Sequence, residues 1–121
     1  MPRQILAVDH IHPDIRDKVA DQQREIVQEV QTAVATHSVV VVGMAMNPFP
    51  KKARKLLHSA GVGHQYLEYG SYFNYWRQRN ALKMWTGWPT FPMVFVKGRL
   101  IGGADDLARL IASGELKKLL A

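Results

Sequence analysis

The chain has 121 residues, enough for one domain around a single core, and 47% of them are hydrophobic. Its formal charge of +6 and pI of about 9.8 suit an acidic partner. Zero cysteines exclude disulfides, thiol catalysis, and cysteine-ligated zinc or iron–sulfur centres supplied by this chain alone.

No stretch approaches the roughly 18 consecutive apolar residues of a membrane span. The opening "MPRQILAVDHIHPDIRD" carries charges where a signal peptide is apolar. The expectation is a soluble, cytoplasmic protein of bacterial style, with no membrane partner. Residues 1–12 read as irregular. From Pro13, the apolar positions Ile15, Val19, Ile26, Val27, Val30 and Val34 follow a 3.6-residue period, which predicts one helix to about Thr36 with "DQQRE" facing water. "SVVVV" (38–42) is a short β-branched run and reads as a buried parallel strand. "GMAMNPFPKKARKLL" follows as a loop feeding a basic helix, with Ala53, Leu56, Leu57 and Ala60 as its apolar stripe and Gly61 as its stop. "HQYLEY" (64–69) alternates as a second strand. "SYFNYWRQRNALKMW" (71–85) reads as a helix capped by Ser71, broken by "TGWPTFP". "MVFVKGRLIGG" (93–103) reads as two strands around Lys97-Gly98, a hairpin signal. "ADDLARLIASGELKKLLA" closes as a helix, interrupted at Gly114. Strands separated by helices give a parallel pair, and the hairpin adds antiparallel strands. The expected fold is therefore an α/β mixed sheet with helices on its faces.

The stretch "NPFP" is a good helix start in its own right. Asn47 is a strong N-cap residue, and Pro48 and Pro50 fall where backbone N–H groups have no partner inside the helix. Taken alone, that is a cap followed by a solvated basic face. The order of pieces says more. A strand, a loop reading x-Pro-aromatic-x at a helix start, "WPTFP", a hairpin and "GGADD" together resemble the glutaredoxin family of the thioredoxin fold over residues 38–120. The most specific piece, "WTGWPTFPMVFVKGRLIGGADDL", is similar to the monothiol branch. The resemblance implies a thioredoxin/glutaredoxin-like mixed four-stranded sheet flanked by helices. It also implies a single domain over 1–121, with 1–37 as an N-terminal extension and helix and 38–121 as the core.

In the family the loop reads C-P-Y-C or C-G-F-S. Here Asn47 holds the thiol position and Pro50 the second, with Pro48 and Phe49 kept between them. Met44 stands about where the family has a lysine, and the family's G-G-C-D turn survives as Gly102-Gly103-Ala104-Asp105. No catalytic residue is therefore expected. The resemblance implies a cradle for glutathione: Asn47 and Phe49 at the loop, Thr90 and Phe91 pairing their backbone with the cysteine-glycine part, and a cis Phe91–Pro92 bond. Gly103, Ala104 and Asp105 would take the γ-glutamyl end, and Arg79 the glycine carboxylate. Each has a plainer alternative: a capped helix for "GGADD", a solvated arginine for Arg79, and packing for Trp85 and Trp88.

The reading is a cysteine-free, redox-inactive binding or regulatory module that requires no cofactor. Its partner would be glutathione or an extended peptide segment. A homodimer is possible. In the monothiol branch that the chain resembles, two subunits share an iron–sulfur cluster through the loop cysteine; with Asn47 in that position, this chain alone is expected to hold none. One rival is a glutathione-dependent enzyme of non-redox type, with Asn47, Tyr69 or Tyr72 hydrogen-bonded to the thiolate. Another is a basic adaptor using residues 51–55 on an acidic partner, with nucleic acid ranked last. His10 and His12 lack a third metal ligand nearby, His58 and His64 read as surface residues, and Asp105-Asp106 reads as a cap.

Overall fold

A computed structural model describes residues 6–21, 23–71 and 73–121. The reading of residues 1–5 as irregular, Tyr72, and the side chain of Val19 lie outside the described residues. A 3-10 turn at Val8–His10 precedes the helices α1 (Pro13–Asp21) and α2 (Arg24–Thr36). There follow β1 (Val39–Gly43), α3 (Pro48–Ser59), β2 (Gln65–Glu68), α4 (Trp76–Thr86), β3 (Met93–Val96), β4 (Arg99–Gly102), α5 (Ala104–Ala112) and α6 (Glu115–Leu120).

The four strands form one sheet in the order β2-β1-β3-β4. β1 runs parallel to β2 and antiparallel to β3, and β4 returns antiparallel to β3. Every residue of β1 is buried, which is why it reads as an unbroken apolar run. Its alternate side chains feed two cores. Val40 and Val42 meet Ile26 and Val30 of α2 and Leu82 of α4. Val39 and Val41 meet Leu57 of α3, Leu107 of α5 and Leu116 of α6. The period-2 strand thus sorts the helices onto its two faces.

Gly43 ends β1 where α3 crosses it. A Cβ there would stand 2.7 Å from Pro50 Cβ and 2.9 Å from the Tyr66 hydroxyl, so the close approach of α3 requires glycine.

Two helix readings are corrected. The single helix expected from Pro13 to Thr36 is two, because Gln23 turns left-handed with φ 52°. In the sequence the apolar period pauses between Val19 and Ile26, where the two glutamines stand. α4 starts at Trp76 rather than at Ser71. Ser71 instead anchors a turn: its N–H donates to Asn74 Oδ1 (2.8 Å), and the Phe73 N–H donates to its Oγ (3.3 Å). Tyr75 then adopts φ 60° before the helix begins. Local side-chain bonding of this kind competes with helix.

Candidate functional site

α3 begins as its sequence dictates. Asn47 is extended at φ −105°, and its Oδ1 accepts the Phe49 N–H at 3.0 Å, with Pro48 in the first helical position. Its Nδ2 donates to the Phe91 carbonyl at 3.4 Å, linking the loop to the segment before β3. Pro50 packs inward and Phe49 stays half exposed, at 52%. Met44 is buried in the core, so its position offers no charge to the loop.

The peptide between Phe91 and Pro92 is cis. Ahead of it, the Trp88 N–H donates to Thr86 Oγ1 at 3.1 Å, which fixes the turn out of α4. At the other wall, α5 starts on Gly103, whose N–H donates to Asp106 Oδ2 at 2.9 Å. Of the pair Asp105-Asp106 read as a cap, it is therefore Asp106, three residues after Gly103, that bonds the helix start. Asp105 is exposed and pairs with Lys52 Nζ at 3.2 Å.

Between these walls lies a groove of about 280 Å³. Phe49, Thr90, Phe91, Pro92, Gly103, Ala104 and Asp105 line it, joined by Trp88 and Asp106. Asn47 stands at its edge through the bond to Phe91. Arg79 does not join them. It is buried at 7% exposure, and its Nη1 donates to the carbonyls of Tyr69 (3.0 Å) and Asn74 (2.7 Å). The expectation of an arginine facing ligand is corrected: the carbonyls of Tyr69 and Asn74 hold the guanidinium inside the protein.

Two features bear on whether glutathione fits. The Trp88 Nε1–H is buried and has no hydrogen-bond partner. Buried donors are almost always paired, so an unsatisfied one lining a groove suits a ligand acceptor. Gly103 lies beside it: a Cβ there would make ordinary van der Waals contact with Trp88 Nε1 at 3.8 Å and the Pro92 carbonyl at 3.5 Å, so the wall does not itself require glycine. Backbone amides at the start of α5 and the Asp105 carboxylate would hold an α-amino acid end, with Trp88 as a further donor. Sequence reasoning took Trp88 for packing, and no pattern in "GWPTFP" reveals an unpaired indole. The Asp106 spacing was legible as a capping signal.

Asp106 titrates below its ordinary 3.8 because it accepts the Gly103 N–H and pairs with Arg109, with burial opposing. A lowered pKa makes its stabilisation present above about pH 4 and lost as the pH falls below that. Asp106→Ala should cost about 0.5–1 kcal/mol at pH 7 and less as the pH falls toward 2, read by urea unfolding at both pH values. An equal cost at both would rule out the carboxylate as the source.

Elsewhere, His64 departs from its reading as a surface residue: it is half-buried, with Nδ1 lacking a partner. Tyr69 is buried, and its hydroxyl donates to Glu29 at 2.8 Å. Burial, then Glu29, pushes that phenol well above its usual range. Among the described residues, no three His, Asp or Glu side chains converge as a metal site.

The glutaredoxin family model matches residues 39–101. A glutaredoxin-like protein of Dictyostelium discoideum is 46% identical over 103 residues, which cover 85% of this chain and 84% of that one. Monothiol glutaredoxin-4 of Schizosaccharomyces pombe is 32% identical, over 79% of this chain and 40% of its own. The crystal structure of a buckwheat glutaredoxin–glutathione complex superimposes with a TM-score of 0.71 at 27% identity, covering 83% of this chain and 91% of that one. With the sheet order and the groove already described, these matches make the chain a member of the glutaredoxin family, with the thioredoxin-like fold and without a cysteine.

Proposed function

We propose that the protein is a redox-inactive binding or regulatory module that holds glutathione, or an extended peptide segment, in the groove between α3, residues 88–92 and α5. The observation that carries this is the convergence of Phe49, Thr90, Phe91, Gly103 and Asp105 on one groove while position 47 holds asparagine. The buckwheat relative's complex with glutathione supports the choice of ligand. Thiol–disulfide exchange needs an attacking thiolate, and no residue of the chain supplies one. The proposed setting is the cytoplasm, whose glutathione pool keeps thiols reduced; among the described residues no helix is long and apolar enough to cross a membrane.

Binding should be weak, in the millimolar range or roughly −4 kcal/mol. Pro48 and Pro50 remove two N–H groups from the α3 start, and Met44 offers no charge. Titration with reduced glutathione should shift the amides of Phe49, Phe91, Gly103 and Asp105, and the indole N–H of Trp88 more than those of Trp76 and Trp85. Saturating glutathione without shifts at these positions would overturn the reading. A glutathione-coupled disulfide assay should give no turnover above blank. The non-redox enzyme reading gains no support from Tyr69, whose phenol is buried and spent on Glu29.

A further inference from the structure

A second groove, of about 410 Å³, runs along α3 beside the first. Its lining residues are Pro48, Lys51, Lys52, Lys55, Leu56 and Ser59. Their spacing of three and four puts them in one stripe on the helix. Pro48 and Leu56 bring apolar surface to it, and three exposed lysines bring charge. Lys51 and Lys55 are exposed and engage no hydrogen bond or ion pair among the described residues. α3 carries no acidic residue, and in the whole chain between Glu29 and Asp105 the only acid is Glu68.

The two grooves meet at the start of α3. Pro48 lines one and its neighbour Phe49 the other. Lys52 lines one and Asp105 the other, and these two side chains touch at 3.2 Å. We propose that the lysine groove binds the acidic flank of a partner peptide whose adjoining residues lie in the first groove. The inference rests on the peptide form of the function proposed above and names the partner's chemistry: Asp or Glu beside an apolar residue. The lining favours a peptide over nucleic acid. It offers no aromatic ring on which a base would stack and no arginine fork for a phosphate, whereas lysines act as point charges that suit flexible carboxylates.

The test uses a fluorescein-labelled peptide carrying a run of Glu next to Leu, its Gln counterpart, and an oligothymidylate, all read by anisotropy. The variants are Lys51→Gln/Lys55→Gln and, at the same net charge, Lys117→Gln/Lys118→Gln. All four lysines are exposed, so the fold should persist. The Glu peptide should bind the parent and lose about threefold to tenfold in affinity to the first variant, with less than about twofold lost to the second. Equal binding of the Gln peptide, or equal losses in both variants, would overturn the proposal. So would tighter binding of the oligothymidylate through the same lysines. Self-association of the parent that the first variant abolishes would assign the groove to a second copy and overturn the partner peptide. The glutathione titration is read separately. Glutathione shifts without Glu-peptide binding sink this inference alone; Lys51/Lys55-dependent peptide binding without glutathione shifts sinks the glutathione reading alone.

Discussion

Asn47→Cys should convert a chain with no thiol chemistry into one that forms a mixed disulfide with glutathione disulfide. Position 47 is extended at the N-cap of a 12-residue helix, and its side chain already takes the Phe49 N–H. A thiolate there would accept that N–H and face the positive end of the helix. Lys51, one turn on, adds to the field. Pro48 and Pro50 withhold two further donors. The dipole and the charges survive this loss, so the thiol pKa should fall below the reference of about 8.5, though modestly. The thiolate would attack one sulfur of glutathione disulfide and release the other half as glutathione thiolate. Loss of the asparagine cap should cost about 1 kcal/mol of stability, which leaves the fold intact. Alkylation rate against pH measures the outcome. A midpoint at or above the reference value would show that the α3 start does not stabilise an anion at position 47.

Arg79→Met should be the most destabilising single change among the residues discussed. The guanidinium is buried and donates to the carbonyls of Tyr69 and Asn74, tying the end of β2 to the turn before α4. Methionine fills much of the volume but leaves those acceptors without their charged donor. Hydrogen bonds to charged groups contribute about 1.5–3 kcal/mol each, and an orphaned acceptor adds to the loss. The expected cost is about 2–4 kcal/mol by urea unfolding. Glutathione shifts at Gly103 and Asp105 should persist in the folded fraction. A variant with parental stability that lost those shifts would return Arg79 to the ligand.

The fold was legible because its signals are local and redundant. A β-branched run bounded by turns, a Lys-Gly hairpin and a 3.6-residue stripe each have one economical reading. The misread boundaries lie where side chains bond their own backbone. Asn74 and Ser71 hold a turn in a stretch whose composition suits a helix, and the glutamines before Arg24 leave a gap in an otherwise regular apolar period. At the site, positions were legible and roles were not. "NPFP", "TFP" and "GGAD" do converge on one groove. Arg79 went astray because a side chain that long can reach either solvent or a nearby carbonyl, and sequence does not say which. Trp88 was missed because being a donor without an acceptor is a property of surroundings assembled from distant segments.

The Lys52–Asp105 contact also sets a ceiling on communication between the two grooves. A carboxylate arriving at Lys52 draws it away from Asp105, and an ammonium arriving at Asp105 draws it away from Lys52. Each ligand thereby removes the partner its neighbour's receptor had, so binding at one groove strengthens binding at the other. Linkage makes the two effects equal. Both side chains are more than half exposed, at 51% and 71%, so water screens the pair. An ion pair in that setting contributes about 0.2–1 kcal/mol, and no more than this can pass through it. The cooperativity available along this route is thus limited to roughly fivefold, that of a bias rather than a switch.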